Sequence, residues 1–145
     1  MTLSPGGIAR PCRLPQLQAA LTTGVVTSHD LVMMYLASIE AYDKRGPELN
    51  SISVTNSKAL EQADVLDAER RAGTLRGPLH GIPIVVKDNY ETQGMQTADG
   101  SINLAGWRPP DDSHMVKKLY AAGAIIVAKS NMREFAGRFA VRRDA

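Results

Sequence analysis

Two short runs built almost wholly of apolar residues, 82–86 and 124–128, constrain this chain more than any other feature. A strand that alternates apolar and polar residues keeps one face in water, whereas an unbroken apolar strand must be covered on both faces. Between the runs, residues 112–121 follow helical spacing, with Asp112 or Ser113 placed to cap the start and Gly123 to end it. A helix joining two doubly buried strands implies a parallel or mixed sheet in an α/β layering. Pro83 is tolerable because it sits near the first residue of its strand, where the missing N–H is not needed.

The rest of the chain fits such a layering. Residues 1–13 read as a loose arm. Leu14, Leu17 and Leu21 form one stripe of a short helix over 14–22, closed by Gly24. Ser28 is the expected N-cap of a second helix. Asp30 lies in its first turn, Leu31, Tyr35, Ile39 and Tyr42 fall at helical spacing, and Gly46-Pro47 stops it. Residues 51–55 alternate as a strand. Asn56 opens a third helix with Ala59, Leu60, Ala63 and Leu66 inward, ending near Gly73. Residues 88–111, with glycines, two prolines and the lone Trp107, read as a long functional loop carrying short strands.

Composition narrows the classes of function. With 145 residues, 43% hydrophobic and 22% charged, the chain can bury an ordinary core and is not of a disordered type. A net charge of +2 gives no reason to expect nucleic acid or an anionic membrane as partner. Arg133, Arg138, Arg142 and Arg143 gather near the C-terminus and read as a solvated tail. One cysteine, Cys12, excludes an intrachain disulfide, and no run reaches the roughly 18 apolar residues of a membrane span. A cytoplasmic protein is expected. His29, His80 and His114 lack the spacing of helical metal ligands, so neither metal nor cofactor is expected; His80 is expected to pack or hydrogen-bond. Asp111 and Asp112 are read as helix-capping carboxylates.

The stretch His80-Gly81-Ile82-Pro83-Ile84-Val85-Val86-Lys87-Asp88-Asn89 drives an apolar strand straight into a lysine. A buried ammonium costs several kcal/mol unless it is paired or loses its proton, so a lysine there either reaches water or is kept for its chemistry. Gly77 to Asn89 resembles the lysine motif of the amidase signature family. Thr97-Ala98-Asp99-Gly100-Ser101 resembles that family's threonine-to-glycine-serine turn. Ala122-Gly123-Ala124-Ile125-Ile126-Val127-Ala128-Lys129-Ser130-Asn131-Met132-Arg133-Glu134-Phe135-Ala136 is similar to its helix-strand-loop segment. The three motifs occur in the family's order, and the resemblance covers roughly residues 14–136. It implies the N-terminal part of the amidase signature fold, an incomplete α/β unit with helices packed on a mixed β-sheet. On that reading 1–13 is an arm, 14–136 a partial amidase domain and 137–145 a divergent tail.

The resemblance also implies a chemistry. Members of the family cleave or transfer amides with a nucleophilic serine, a second serine in a cis peptide, and a lysine. Lys87 would be that lysine, accepting a proton from the bridging serine; an amine can do so only when neutral near working pH. Asp88, Thr97, Gly100, Ser101 and Asn131 would shape the site, and Asp88 would either bond backbone or orient Lys87. The glycine-serine loop that bears both serines and an oxyanion pocket has no counterpart in these 145 residues, so the chain alone is expected to be inactive. Ser101 is the one substitute nucleophile worth naming. Ser130, beside Lys129, would face away from it. The expected substrate of the complete enzyme is a small-molecule amide. Two alternatives remain: part of a glutamyl-tRNA amidotransferase A-type subunit, or a non-catalytic α/β remnant that binds a partner. Open sheet edges are expected to favour self-association.

Overall fold

The computed structural model describes residues 13–133. Apart from Arg13, the expected arm lies outside the described residues, as do Cys12, Glu134, the expected tail and Arg138, Arg142 and Arg143; Arg133 is described and exposed. In chain order the elements are α1 (Leu14–Thr22), α2 (Ser28–Ser38), a π-helical turn (Ile39–Lys44), β1 (Ile52–Thr55) and α3 (Ala59–Arg71). There follow β2 (Pro83–Lys87), a single 3-10 turn (Ile102–Leu104), α4 (His114–Ala121) and β3 (Ile125–Ser130).

The sheet is mixed, in the order β1-β3-β2, with β3 parallel to β2 and antiparallel to β1. The unbroken apolar run of β3 is explained by its central place. Ile125, Ile126, Val127 and Ala128 are at most 1% exposed, so both faces are covered. One face, with Ile125, Val127 and Ala128, packs on Val32 of α2 and on Ala59, Ala63 and Leu66 of α3. The other, through Ile126, meets Val86 of β2, Met95 and Val116 of α4. Pairing shifts register between Ile84 and Val85, and Val127 and Ala128 both enter the helix-side cluster. The next residue, Lys129, therefore lies on the side of Met95 and α4. A smaller cluster of Leu21, Leu31 and Ile82 fastens α1 to the start of β2.

Several boundaries differ from the sequence reading for definable reasons. Thr27, not Ser28, caps α2: its hydroxyl accepts from the Asp30 N–H at 3.0 Å, and the Asp30 carboxylate accepts from the Thr27 N–H at 3.0 Å. This reciprocal box needs the acid three residues after the cap, which selects Thr27. Ser28 is instead the first helical residue. Its N–H and that of His29 donate to the Asp67 carboxylate at 2.8 and 3.1 Å, pinning the start of α2 on α3. The helical spacing that ran to Tyr42 does not continue as α-helix. The π-helical turn leaves Tyr42 61% exposed and turns Asp43 inward, where it accepts from the Ser51 N–H and hydroxyl, both at 2.6 Å.

Asn56 precedes α3 rather than opening it. Its amide donates to the Ile126 carbonyl at 2.7 Å, so it serves the sheet. The short strands expected within 88–111 are not present: that segment folds as turns with the one 3-10 turn. Asp111 and Asp112 cap no helix with their side chains. Asp111 pairs with Lys117 at 2.6 Å, and Asp112 accepts from the Gln93 N–H at 2.7 Å. His80 is fully buried, accepting from the Arg76 N–H at Nδ1 and donating through Nε2 to the Leu66 carbonyl. Among the described residues no helix is long and apolar enough to cross a membrane.

Candidate functional site

The site forms where β2 and β3 end side by side. Parallel strands present their carboxyl ends together, and the loops that follow can converge there. Val86 pairs with Lys129 and Lys87 with Ser130. Successive strand residues face opposite sides, so Val86 enters the core with Met95 and Val116 while Lys87 emerges on the other side. Lys87 is exposed.

The buried lysine is Lys129, which has no exposed surface. The desolvation argument applied from sequence to Lys87 belongs to this residue. Its Nζ donates to the Gln96 carbonyl at 2.9 Å and to the Thr97 hydroxyl at 2.5 Å. It lies 3.4 Å from the Asp88 carboxylate, an ion pair with both side chains at most 3% exposed. Burial pushes the Lys129 ammonium below the ordinary lysine value, while the negative charge of Asp88, and more weakly that of Glu91, works against the shift. The sequence signal for this residue was the run 124–128 entering Lys129 with no turn residue between. What could not be read was the partner set, which lies more than thirty residues away in the chain.

Asp88 is the joint between the two lysines. Its N–H donates to the Ser130 carbonyl at 3.0 Å, continuing the β2–β3 ladder past Lys87. Its second carboxylate oxygen accepts from the Ala98 N–H at 3.2 Å. It does bond backbone, as one of the two expectations had it, and the lysine it engages is Lys129. Thr97 is buried, and its N–H donates to the Trp107 carbonyl at 3.0 Å.

Gly100 takes φ +70°, and a Cβ there would lie 2.5 Å from the Met132 carbonyl oxygen and 2.7 Å from the Arg133 carbonyl carbon. The Thr97–Ser101 turn is thus pressed onto the backbone that leaves β3. Ser101 is buried; its hydroxyl oxygen accepts from the Asn103 N–H at 3.4 Å, at the start of the 3-10 turn. Asn131 stands apart from this cluster, on the β1 side of β3. Its N–H donates to the Ser51 carbonyl at 2.7 Å, and its side-chain carbonyl accepts from the Met132 N–H at 2.8 Å. Asp88, Thr97, Gly100, Ser101 and Lys129 therefore come together, Lys87 leaves the same strand ends on the opposite side, and Asn131 is separate. Beside the cluster a cavity of about 220 Å³ is lined by Asn89, Glu91, Thr97, Asp99, Leu104 and Trp107.

Comparison with known proteins bears on this arrangement. The family model described as Amidase matches residues 30–140. The A-type subunit of the glutamyl-tRNA(Gln) amidotransferase from Halorhodospira halophila is 43% identical over 122 residues, covering 83% of this chain and 24% of that protein. Its counterpart from Salinispora arenicola is 41% identical over 128 residues, covering 85% and 26%. Among solved structures, native peptide amidase from Stenotrophomonas maltophilia superposes with a TM-score of 0.84 at 42% identity, over 88% of this chain and 26% of that one. The chain thus spans about a quarter of the length of these relatives.

Proposed function

The chain belongs to the amidase family, and from that premise we propose that it carries the lysine arm of a site that hydrolyses carbon–nitrogen amide bonds, with Lys87 as the proton acceptor. The supporting observation is the contrast between the two lysines. Lys129 is buried with its ammonium engaged on three sides. Lys87 stands at the carboxyl end of a parallel strand, exposed, and among the described residues its ammonium makes no hydrogen bond or ion pair. Lys129 is thus spent on structure, while the Lys87 amine is left available to a hydroxyl supplied by another segment. The 145 residues contain no Gly-Ser-Ser sequence, so the nucleophile and the bridging serine come from outside them. On this reading that same part also covers Lys87 and brings a serine hydroxyl within hydrogen-bond reach of its amine.

The test joins the 145-residue chain to the portion of S. maltophilia peptide amidase that follows its matching quarter. The fusion is expected to hydrolyse peptide amides. Lys87→Ala and Lys87→Arg should each lose about 10²–10⁴-fold in kcat, the size of a general-base contribution, since a guanidinium does not deprotonate. Retained activity in Lys87→Arg would refute the assignment. The amidotransferase relatives match as well as the peptide amidase, which supports a second reading: the same lysine serving amide transfer to a tRNA-bound glutamate. Glutamine as the preferred amide would favour it. The outer edge of β2 has no strand partner among the described residues, and Val85 is 47% exposed, which supports self-association of the chain alone, readable as concentration-dependent sedimentation.

A further inference from the structure

We propose that Lys129 is a positioning residue for Lys87: its buried ammonium clamps the 96–98 segment and Asp88 to the end of β2, and so fixes where Lys87 leaves the strand. The inference rests on the reading of Lys87 as proton acceptor. Three groups from two segments converge on one nitrogen: the Gln96 carbonyl, the Thr97 hydroxyl and the Asp88 carboxylate at 2.9, 2.5 and 3.4 Å. Asp88 is the chain neighbour of Lys87, and it is held on two further sides, by the Ser130 carbonyl through its N–H and by the Ala98 N–H through its carboxylate. The backbone of Lys87 therefore cannot rotate or slide without breaking one of these bonds.

A purely structural role would not need the charges. Replacing a buried ion pair by apolar groups of similar volume is often neutral or stabilising, so the pair adds little to stability that packing could not supply. What apolar packing cannot supply is direction. Carbonyl, hydroxyl and carboxylate each fix the ammonium along a defined line, and the clamp transmits that definition one residue along β2. A displacement of about 1 Å at a reacting group can cost about 10²-fold in rate, so such a clamp acts on kcat.

The experiment compares wild type, Lys129→Met, and Lys129→Met/Asp88→Asn, in the 145-residue chain and in its fusion to the peptide amidase portion. The double variant removes both charges and keeps an acceptor for the Ala98 N–H. We expect it to melt near wild type yet remain at least about 10-fold down in kcat with KM within about two-fold, because the direction has gone while packing remains. In the 145-residue chain, amide exchange at Ala98 should rise at least about 10-fold in Lys129→Met. Recovery of kcat together with the melting temperature would reduce Lys129 to a structural residue and overturn the inference. So would unchanged exchange at Ala98, which decides the matter even if the fusion fails to fold. The two readings are separable: Lys87→Ala retaining its rate removes the proton-acceptor assignment and this inference with it. Lys87→Ala inactive beside a fully recovered double variant removes only the inference.

Discussion

Breaking the Lys129–Asp88 pair one partner at a time should cost far more than removing both. At 3.4 Å and an effective dielectric of about 20, the two charges attract by about 5 kcal/mol before desolvation is counted. Both side chains are at most 3% exposed, so desolvation offsets much of that attraction. Lys129→Met leaves a buried carboxylate whose remaining partner is the Ala98 N–H, and should cost about 3–5 kcal/mol. Asp88→Asn should cost less, about 2–3 kcal/mol. The ammonium keeps the Gln96 carbonyl and the Thr97 hydroxyl, and it sheds its proton more easily than an ordinary lysine. Removing both charges should leave the protein near wild type, so the double variant should be more stable than the sum of the singles implies by about 5 kcal/mol, the size of the attraction. Urea unfolding of the four proteins at pH 7 gives the cycle. Additivity within about 0.5 kcal/mol would show that the charges do not interact, and the account of the site would fail. The pH dependence has a definite sign. The folded-state value of Lys129 is lowered, so the unfolded chain binds more protons, and this group's contribution to stability rises with pH up to the unfolded value near 10.4. In Asp88→Asn the rise should steepen, because the counter-charge that opposes the shift is gone.

Two further outcomes follow from the geometry. Gly100→Ala should lower stability by more than about 2 kcal/mol, since a left-handed φ alone costs about 1 and backbone atoms at 2.5–2.7 Å must also move; Gly94→Ala, with φ +82° and nothing within 4 Å, should show only the conformational part. Paired thermal melts separate the two effects, and equal losses would deny the close approach at Gly100. The Asp43 carboxyl is lowered to about 2, chiefly by the Ser51 hydroxyl, so its contribution is present above the unfolded value near 3.9 and is lost as pH falls through about 2. Asp43→Asn should flatten the acid limb of a stability-versus-pH curve, and an unchanged limb would count against the turn it holds.

What could be read from residues alone tracks how local the determining forces are. β3 was legible because burial on both faces leaves an apolar run with no alternation, and β1 because its alternation records one covered face. β2 carries a like run, yet as an edge strand it leaves Val85 47% exposed, so the expected cover on both faces holds for β3 alone. The start of α2 was misplaced by one residue because Thr27 and Ser28 are both competent caps, and only the reciprocal bond with Asp30 decides between them. The π-helical turn was hidden: Leu31, Tyr35, Ile39 and Tyr42 keep an α-helical spacing, yet the extra residue in the turn serves Asp43 and its bonds to Ser51, not the apolar stripe. At the site, Asp88, Thr97, Gly100 and Ser101 were named from motifs and do converge. Lys129 was quoted within a motif and passed over, because a lysine's burial is set by the segments that fold over it, and Gln96 and Thr97 say nothing about where they will lie.

The strand order β1-β3-β2 carries a consequence for synthesis. The two outer strands never pair with one another; every ladder bond of the sheet has β3 on one side. β1 begins at Ile52 and β3 finishes at Ser130, so at roughly 5–20 residues per second β1 waits several seconds or more on the ribosome for its partner. During that interval the chain can form α2 and α3 and pin them through Asp67, but it can form no sheet. Cotranslational folding of this segment is therefore a late, single event that awaits the arrival of β3, and a ribosome stalled before residue 125 would display two unpaired strands to any chaperone that binds extended chain.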